Sequence, residues 1–253
     1  MVAPDVSDRS LQQLTSLAGR VAVVTGGGRG IGAAICRRLA EMGATIVVAD
    51  IDEAGAADVA RSLPGEASSV TLDVTDQQSI GDAVSSTVAA TGRIDVWVNN
   101  AGVYPRIDFE ALTLAQWNEV LQINLTGPLL CAQAAAPVMS LHGGVIVNVA
   151  SLSAFRTAAP GLSQYIASKA GVVGLTRSLA VELGPRGIRV VAVAPCYIPE
   201  VVALARSPLG RTAVPDDVAR VVAFLATDAA GFLSGITVPV DGGELAGTTA
   251  DLA

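Results

Sequence analysis

The sequence predicts one doubly wound α/β domain, built on a mostly parallel seven-stranded sheet flanked by helices. Three observations lead there. Seven short runs rich in β-branched residues recur along the 253 residues. Ala- and Leu-rich stretches with helical spacing fall between them. The runs are apolar nearly throughout, as strands covered on both faces must be.

The strand-like runs lie at 20–25, 45–50, 68–74, 94–99, 145–151, 188–194 and 236–240, and the helical stretches at 31–42, 53–63, 77–90, 113–141, 162–183 and 215–227. Strand and helix alternate, which is the order a parallel sheet with crossover helices requires. No composition shift, linker or repeat divides the chain. We therefore expect one domain over 19–243, a loose N-terminal arm over 1–18 and a C-terminal tail over 244–253.

Hydrophobic residues make up 51% and charged residues 15%, enough apolar surface for a large core. The net charge of −7 opposes nucleic-acid binding, which needs a basic face. Cys36, Cys131 and Cys196 are odd in number and widely spaced, so no disulfide framework is indicated. His142 is the only histidine, too few soft ligands for zinc. The first 18 residues hold no continuous apolar core, and apolar runs elsewhere break well before the roughly 18 residues of a span. The expectation is a cytoplasmic protein with no membrane partner.

The first strand runs into Gly26-Gly27-Gly28-Arg29-Gly30-Ile31-Gly32, and a helical pattern starts at once. Glycines let backbone approach a pyrophosphate, which the N–H groups and positive end of the following helix then hold. Alone, such a turn serves strand–helix packing as readily; its place after the first strand favours a cofactor site. Asp50 ends the second strand about 20 residues on, where a carboxylate accepts bonds from ribose hydroxyls and repels a 2′-phosphate. Arg29 would favour that phosphate. Asp50 carries more weight, so the expected cofactor is NAD.

Tyr165 and Lys169 stand four apart in a helical stretch and share a face. An ammonium beside a phenol favours the phenolate, which suits Tyr165 to acid/base work near neutrality. Lys169 is the only lysine among 16 basic residues. In so Arg-biased a chain, that singles out an amine where a guanidinium would not serve. Ser151 ends the fifth run at the carboxyl edge of the sheet, where ligands of doubly wound folds bind.

These motifs, in register from Gly19 to Gly243, resemble the short-chain dehydrogenase/reductase family, a Rossmann-fold group. The resemblance implies that Asn99-Asn100-Ala101-Gly102 steadies the sheet beside the adenosine, and that Asp73-Val74 contacts the adenine. It implies a tetrad: Ser151 bonds the substrate oxygen, Tyr165 moves the proton, Lys169 also grips the nicotinamide ribose, and Asn124 holds a water linking the lysine to solvent. Pro195 and Ile198 fall at the nicotinamide end. The implied activity interconverts a secondary alcohol and a ketone.

The spacing from Ser151 to Tyr165 is one residue longer than the family's usual, which keeps Ser153 as a weaker candidate. Two positions depart from the pattern: Cys196 replaces a glycine and Glu200 a threonine. The segment 200–206 is also far shorter than the usual helical lid. These departures support an alternative, a silent NAD(H)-binding sensor or scaffold. A hydrolase is excluded by the lack of a G-x-S-x-G elbow. The expected pocket wall joins Val103, Tyr104, Pro105, Ser153, Ala154, Phe155 and Tyr197 with one cation, Arg156. That arginine suits a substrate carboxylate, but a lone loop arginine is commonly solvated, and solvation is the expectation. Mean hydropathy of +0.53 and the helices at 113–141 and 162–183 imply apolar surface to cover. The family resemblance makes that a homotetramer.

Overall fold

The computed structural model describes residue 6 and residues 8–156, 160–198 and 207–247. Glu200 and the shortened segment at 200–206 lie outside the described residues, as does most of the tail. Seven strands form one sheet: β1 (Val21–Thr25), β2 (Thr45–Asp50), β3 (Ala67–Thr71), β4 (Val96–Asn99), β5 (Gly144–Val149), β6 (Ile188–Pro195) and β7 (Thr237–Val240). Their order is β3-β2-β1-β4-β5-β6-β7, and every pairing is parallel. The order reverses between β1 and β4, so loops leaving these strands diverge and open a crevice at the carboxyl edge.

Side chains alternate faces along each strand, and both faces are buried. Ala22, Val24, Val96, Val98, Val145 and Val147 point into one core with α2 (Gly30–Glu41) and α8 (Pro215–Ala226). Val21, Val23, Trp97 and Ile146 point into the other, with α4 (Gln77–Thr91). Cys36 and Cys131 are buried in these cores, and burial pushes both thiols up to about 12. The N-terminal stretch carries α1 (Leu11–Thr15), and Leu17 beyond it is fully buried. The helix α3 (Glu53–Ser62) links β2 to β3.

The helical stretch expected at 113–141 is two helices. Here α5 (Leu114–Leu121) passes through a π-turn at Gln122–Thr126 into α6 (Gly127–Met139). The cause is in the sequence. An α-helical bond to the Asn124 carbonyl needs the N–H of residue 128, which is proline, and its ring would crowd that carbonyl. The ladder shifts to Gly127 N–H donating to Gln122 O, a widening that recurs at functional sites. The helix α7 (Ser163–Leu183) follows β5 and brings Tyr165 and Lys169 to the same edge.

Candidate active site

The turn after β1 is closed from within. Gly26 has φ +62, and a Cβ on it would lie 2.8 Å from Ala101 Cα. At Gly32 a Cβ would lie 2.0 Å from Gly26 O. Asn100 clamps the turn: its Nδ2 donates to Thr25 O at 3.0 Å and to Gly26 O at 2.9 Å. Thr25 Oγ1 accepts from the N–H groups of Asn100 and Ala101. Asp50 closes the other side, its Oδ2 accepting from Gly28 N–H at 2.8 Å. Arg29 is the exposed N-cap residue of α2, next to Gly30 and Ile31. Asp73 and Val74 lie past the end of β3; Asp73 Oδ1 accepts from Thr75, and Val74 is buried beside Gly127.

At the neighbouring strand ends the acid/base residues meet. Tyr165 hydrogen-bonds Ser151, and Lys169 Nζ lies 5.9 Å from the Tyr165 ring centroid. Lys169 is buried, and its Nζ donates to Val149 O at 2.7 Å. Asn124 is fully buried: Oδ1 accepts from Val103 N–H, and Nδ2 donates to Val103 O and Ser168 Oγ. Ser168 Oγ donates in turn to Tyr165 O, so Asn124 braces the helix turn that carries the tyrosine. Gly102 fits between Asn124 and Lys169, where a Cβ would sit 3.1 Å from Oδ1 and 3.5 Å from Nζ. Ser153 presents its N–H to Ser151 Oγ at 3.1 Å. Pro195 ends β6, and Ile198 is half-buried just beyond.

Burial sets the electrostatics. It lowers Lys169 to about 8, because an ammonium inside the protein loses its hydration. Burial also raises the Tyr165 phenol, the Ser151 bond pulling the other way. The sequence leads one to expect a lowered phenol; desolvation outweighs that.

A family model described as "Enoyl-(Acyl carrier protein) reductase" matches residues 26–244. The chain belongs to the short-chain dehydrogenase/reductase family. It is similar to a cis-4-hydroxycyclohexanecarboxylate dehydrogenase of Sinomonas cyclohexanicum, 46% identical over 91% of this chain and 98% of the relative. It is also similar to a D-threitol dehydrogenase of Mycolicibacterium smegmatis, 40% identical over 90% of this chain and 93% of the relative. A crystal structure of a dehydrogenase/reductase from Sinorhizobium meliloti 1021 superposes with a TM-score of 0.88 at 36% identity, covering 92% of this chain and 98% of that one.

This short-chain dehydrogenase/reductase has the features a nicotinamide dinucleotide needs. At Gly26, Gly27, Gly28 and Gly32 the turn presents backbone where a Cβ would come within 3.0 Å of its neighbours. The helix α2 starts with no side-chain cap and no acidic residue in its first turn, leaving its N–H groups to an external anion. Several contacts within the site are not legible in the sequence. Trp97 Nε1, Asn99, Asn148 and Thr176 form a buried chain of hydrogen bonds from β4 through β5 to α7. Asn148 is the one signal, a polar residue inside an apolar run. Tyr104 packs edge-on against Tyr165, centroids 6.2 Å apart. Arg156 is not simply solvated: its Nη2 pairs with Glu244 Oε1, and its Nη1 donates to Glu244 O at 3.1 Å.

Proposed function

We propose that this chain is an NAD(H)-dependent dehydrogenase that interconverts a secondary alcohol and a ketone. The observation that carries it is the convergence of Ser151, Tyr165, Lys169 and Asn124 beside the glycine turn. Ser151 Oγ and Tyr165 Oη take the substrate oxygen between them. In oxidation Tyr165 removes the hydroxyl proton as the phenolate, and in reduction it returns it. Bound nicotinamide supplies the hydride chemistry at the carbinol carbon. Lys169 offers an ammonium to stabilise the phenolate. Its titration near 8 suits it to pass the proton on. Asn124 supports that exit through its carbonyl, which Pro128 deprives of its α-helical donor and so offers to a water.

Asp50 supports NAD over NADP. Its carboxylate faces the turn at Gly28, where a 2′-phosphate would be repelled. The relatives' named substrates favour a ring or polyol alcohol. Among the described residues no helix is long and apolar enough to cross a membrane, in keeping with a cytoplasmic enzyme. The exposed Val181 and Phe232 suit a homotetramer. The test is oxidation of 4-hydroxycyclohexanecarboxylate, cyclohexanol and threitol with NAD and with NADP. Equal or better rates and affinity with NADP would refute the cofactor assignment. Cofactor binding with no turnover of any alcohol would favour a silent NAD(H) binder, the reading that Cys196 in place of glycine supports.

A further inference from the structure

Arg156 and Glu244 lie 88 positions apart, yet the structure brings them together at the carboxyl edge of the sheet. Arg156 belongs to the loop of Ser151. Its N–H donates to Leu152 O at 3.2 Å, and Phe155 N–H donates to the same carbonyl, so the guanidinium stem is fixed one turn from the catalytic serine. Glu244 belongs to the turn after β7. Asp241 holds that turn, Oδ1 accepting from Gly243 N–H and Oδ2 from Leu245 N–H. Between them, just past the end of β6, lies Cys196, whose thiol is raised by burial first and then by the Glu244 and Asp241 charges. The pair thus bridges two loops across the β6 end.

The loops that leave β4, β5 and β6 at this edge carry an aromatic rim. Tyr104, Phe155 and Tyr197 are 66%, 45% and 61% exposed. Tyr104 also touches Tyr165 edge-on, tying the rim to the proton-transfer residue. A guanidinium that holds a carboxylate on the loop of the catalytic serine is already arranged for one. The arginine side chain remains 36% exposed while that of Glu244 is 13% exposed, so the guanidinium keeps an open side on which an incoming carboxylate can take the place of the present one. Exchange keeps the guanidinium paired, and the Glu244 carboxylate, on the turn after β7, is then left to water.

We propose that Arg156 is the receptor for a carboxylate on the substrate, with Glu244 as its internal place-holder. The substrate class is then a hydroxy or keto acid whose ring lies against the aromatic rim and whose carboxylate is remote from the reacting carbon. This rests on the dehydrogenase reading in placing the substrate oxygen at Ser151 and Tyr165. Glu244 competes with the substrate and thereby sets the discrimination between acids and neutral ketones.

The test uses cyclohexanecarboxylate and cyclohexanecarboxamide as probes, titrated calorimetrically into the full chain with and without NADH. Wild type should bind the acid about tenfold tighter than the amide. Arg156→Met should bring the acid to the level of the amide, and Arg156→Lys should restore part of the preference. Glu244→Gln should tighten the acid about threefold or more and leave the amide unchanged. No acid preference in wild type, a preference surviving in Arg156→Met, or acid binding unchanged or weakened in Glu244→Gln would overturn the proposal. A latch that merely joined the loops would make both variants lose acid and amide alike. In turnover, Arg156→Met should raise KM for 4-oxocyclohexanecarboxylate at unchanged kcat and leave 4-methylcyclohexanone unaffected. Failure to reduce either ketone while the binding pattern holds would sink the dehydrogenase reading and leave the carboxylate receptor standing.

Discussion

Replacing Gly32 by alanine should break the cofactor turn. The new Cβ would lie 2.0 Å from Gly26 O, 2.8 Å from Gly26 C and 2.7 Å from Asn100 Nδ2. The turn must retreat from α2 by about 1 Å to reach a tolerable contact near 3.0 Å. That movement carries Gly26 O away from Asn100 Nδ2, now 2.9 Å distant, and loosens the 3.0 Å bond to Thr25 O. Overpacking costs about 1–3 kcal/mol, and each lost bond about 1 kcal/mol. The helix propensity that alanine gains in α2 offsets about 1 kcal/mol. The net is about 3 kcal/mol, or roughly 6–12 °C in Tm for a chain of this size. NADH affinity should fall by more than about tenfold, since the turn must also be restored on binding. Urea unfolding and calorimetric titration with NADH read the two effects. Gly30→Ala is the control: φ there is +55 and nothing lies within 4 Å, so only the left-handed backbone costs, about 1–2 kcal/mol. A Gly32→Ala protein within about 1 kcal/mol of wild type and with unchanged NADH affinity would refute the reasoning.

Tyr165→Phe should lower turnover about 10²–10⁴-fold and leave NADH affinity within about twofold, because the lost hydroxyl bonds Ser151 and not the glycine turn. Lys169→Ala should damage turnover and affinity together; comparable NADH binding in the two variants would count against the ribose role. Lys169→Met should stabilise the protein at pH 7 by on the order of 2 kcal/mol: relief of the buried ammonium contributes about 3, and the orphaned Val149 carbonyl takes back about 1. The sign follows from linkage. The folded lysine releases its proton near 8 and the unfolded one near 10.5, so wild type gains stability as pH rises between them and the variant's lead disappears. Tyr165, raised by burial, acts oppositely above about 10, so urea melts from pH 7 to 10 isolate the lysine; parallel slopes for the two proteins would be the contrary result. Asn148→Ala should cost about 2–4 kcal/mol by opening a buried cavity and removing one partner each from Asn99 Nδ2 and Thr176 Oγ1, seen as a fall in Tm with little change in NADH affinity.

The strands were legible because two-sided burial writes unbroken β-branched runs, as at Val21–Thr25 and Thr45–Asp50. The turn at Gly26–Gly32 and the Tyr165–Lys169 pair were legible because each is a short-range pattern. The third strand ends before its apolar pattern does, since Leu72 and Val74 are buried in the loop that follows β3. The break at Gln122–Thr126 was hidden because apolar periodicity continues through a π-turn; Pro128 was the available sign. Contacts between distant positions left no local trace. Neither Asn148 with Thr176 nor Arg156 with Glu244 is marked by any spacing. The direction of the Tyr165 shift was also missed, because a helical register gives the neighbour's charge and says nothing of how much water remains.

The solitary lysine has a practical consequence. A protease that cuts only after lysine finds a single peptide bond to hydrolyse, Lys169–Ala170, in the middle of a helix whose lysine head is buried. Cleavage requires that helix to unwind and its amine to leave the interior. The rate of that one scission therefore clocks local opening of the catalytic helix in the native protein, with no engineered label and no competing fragments. An amine-selective acylating reagent reports the same excursion by mass, the N-terminal amine serving as an internal reference.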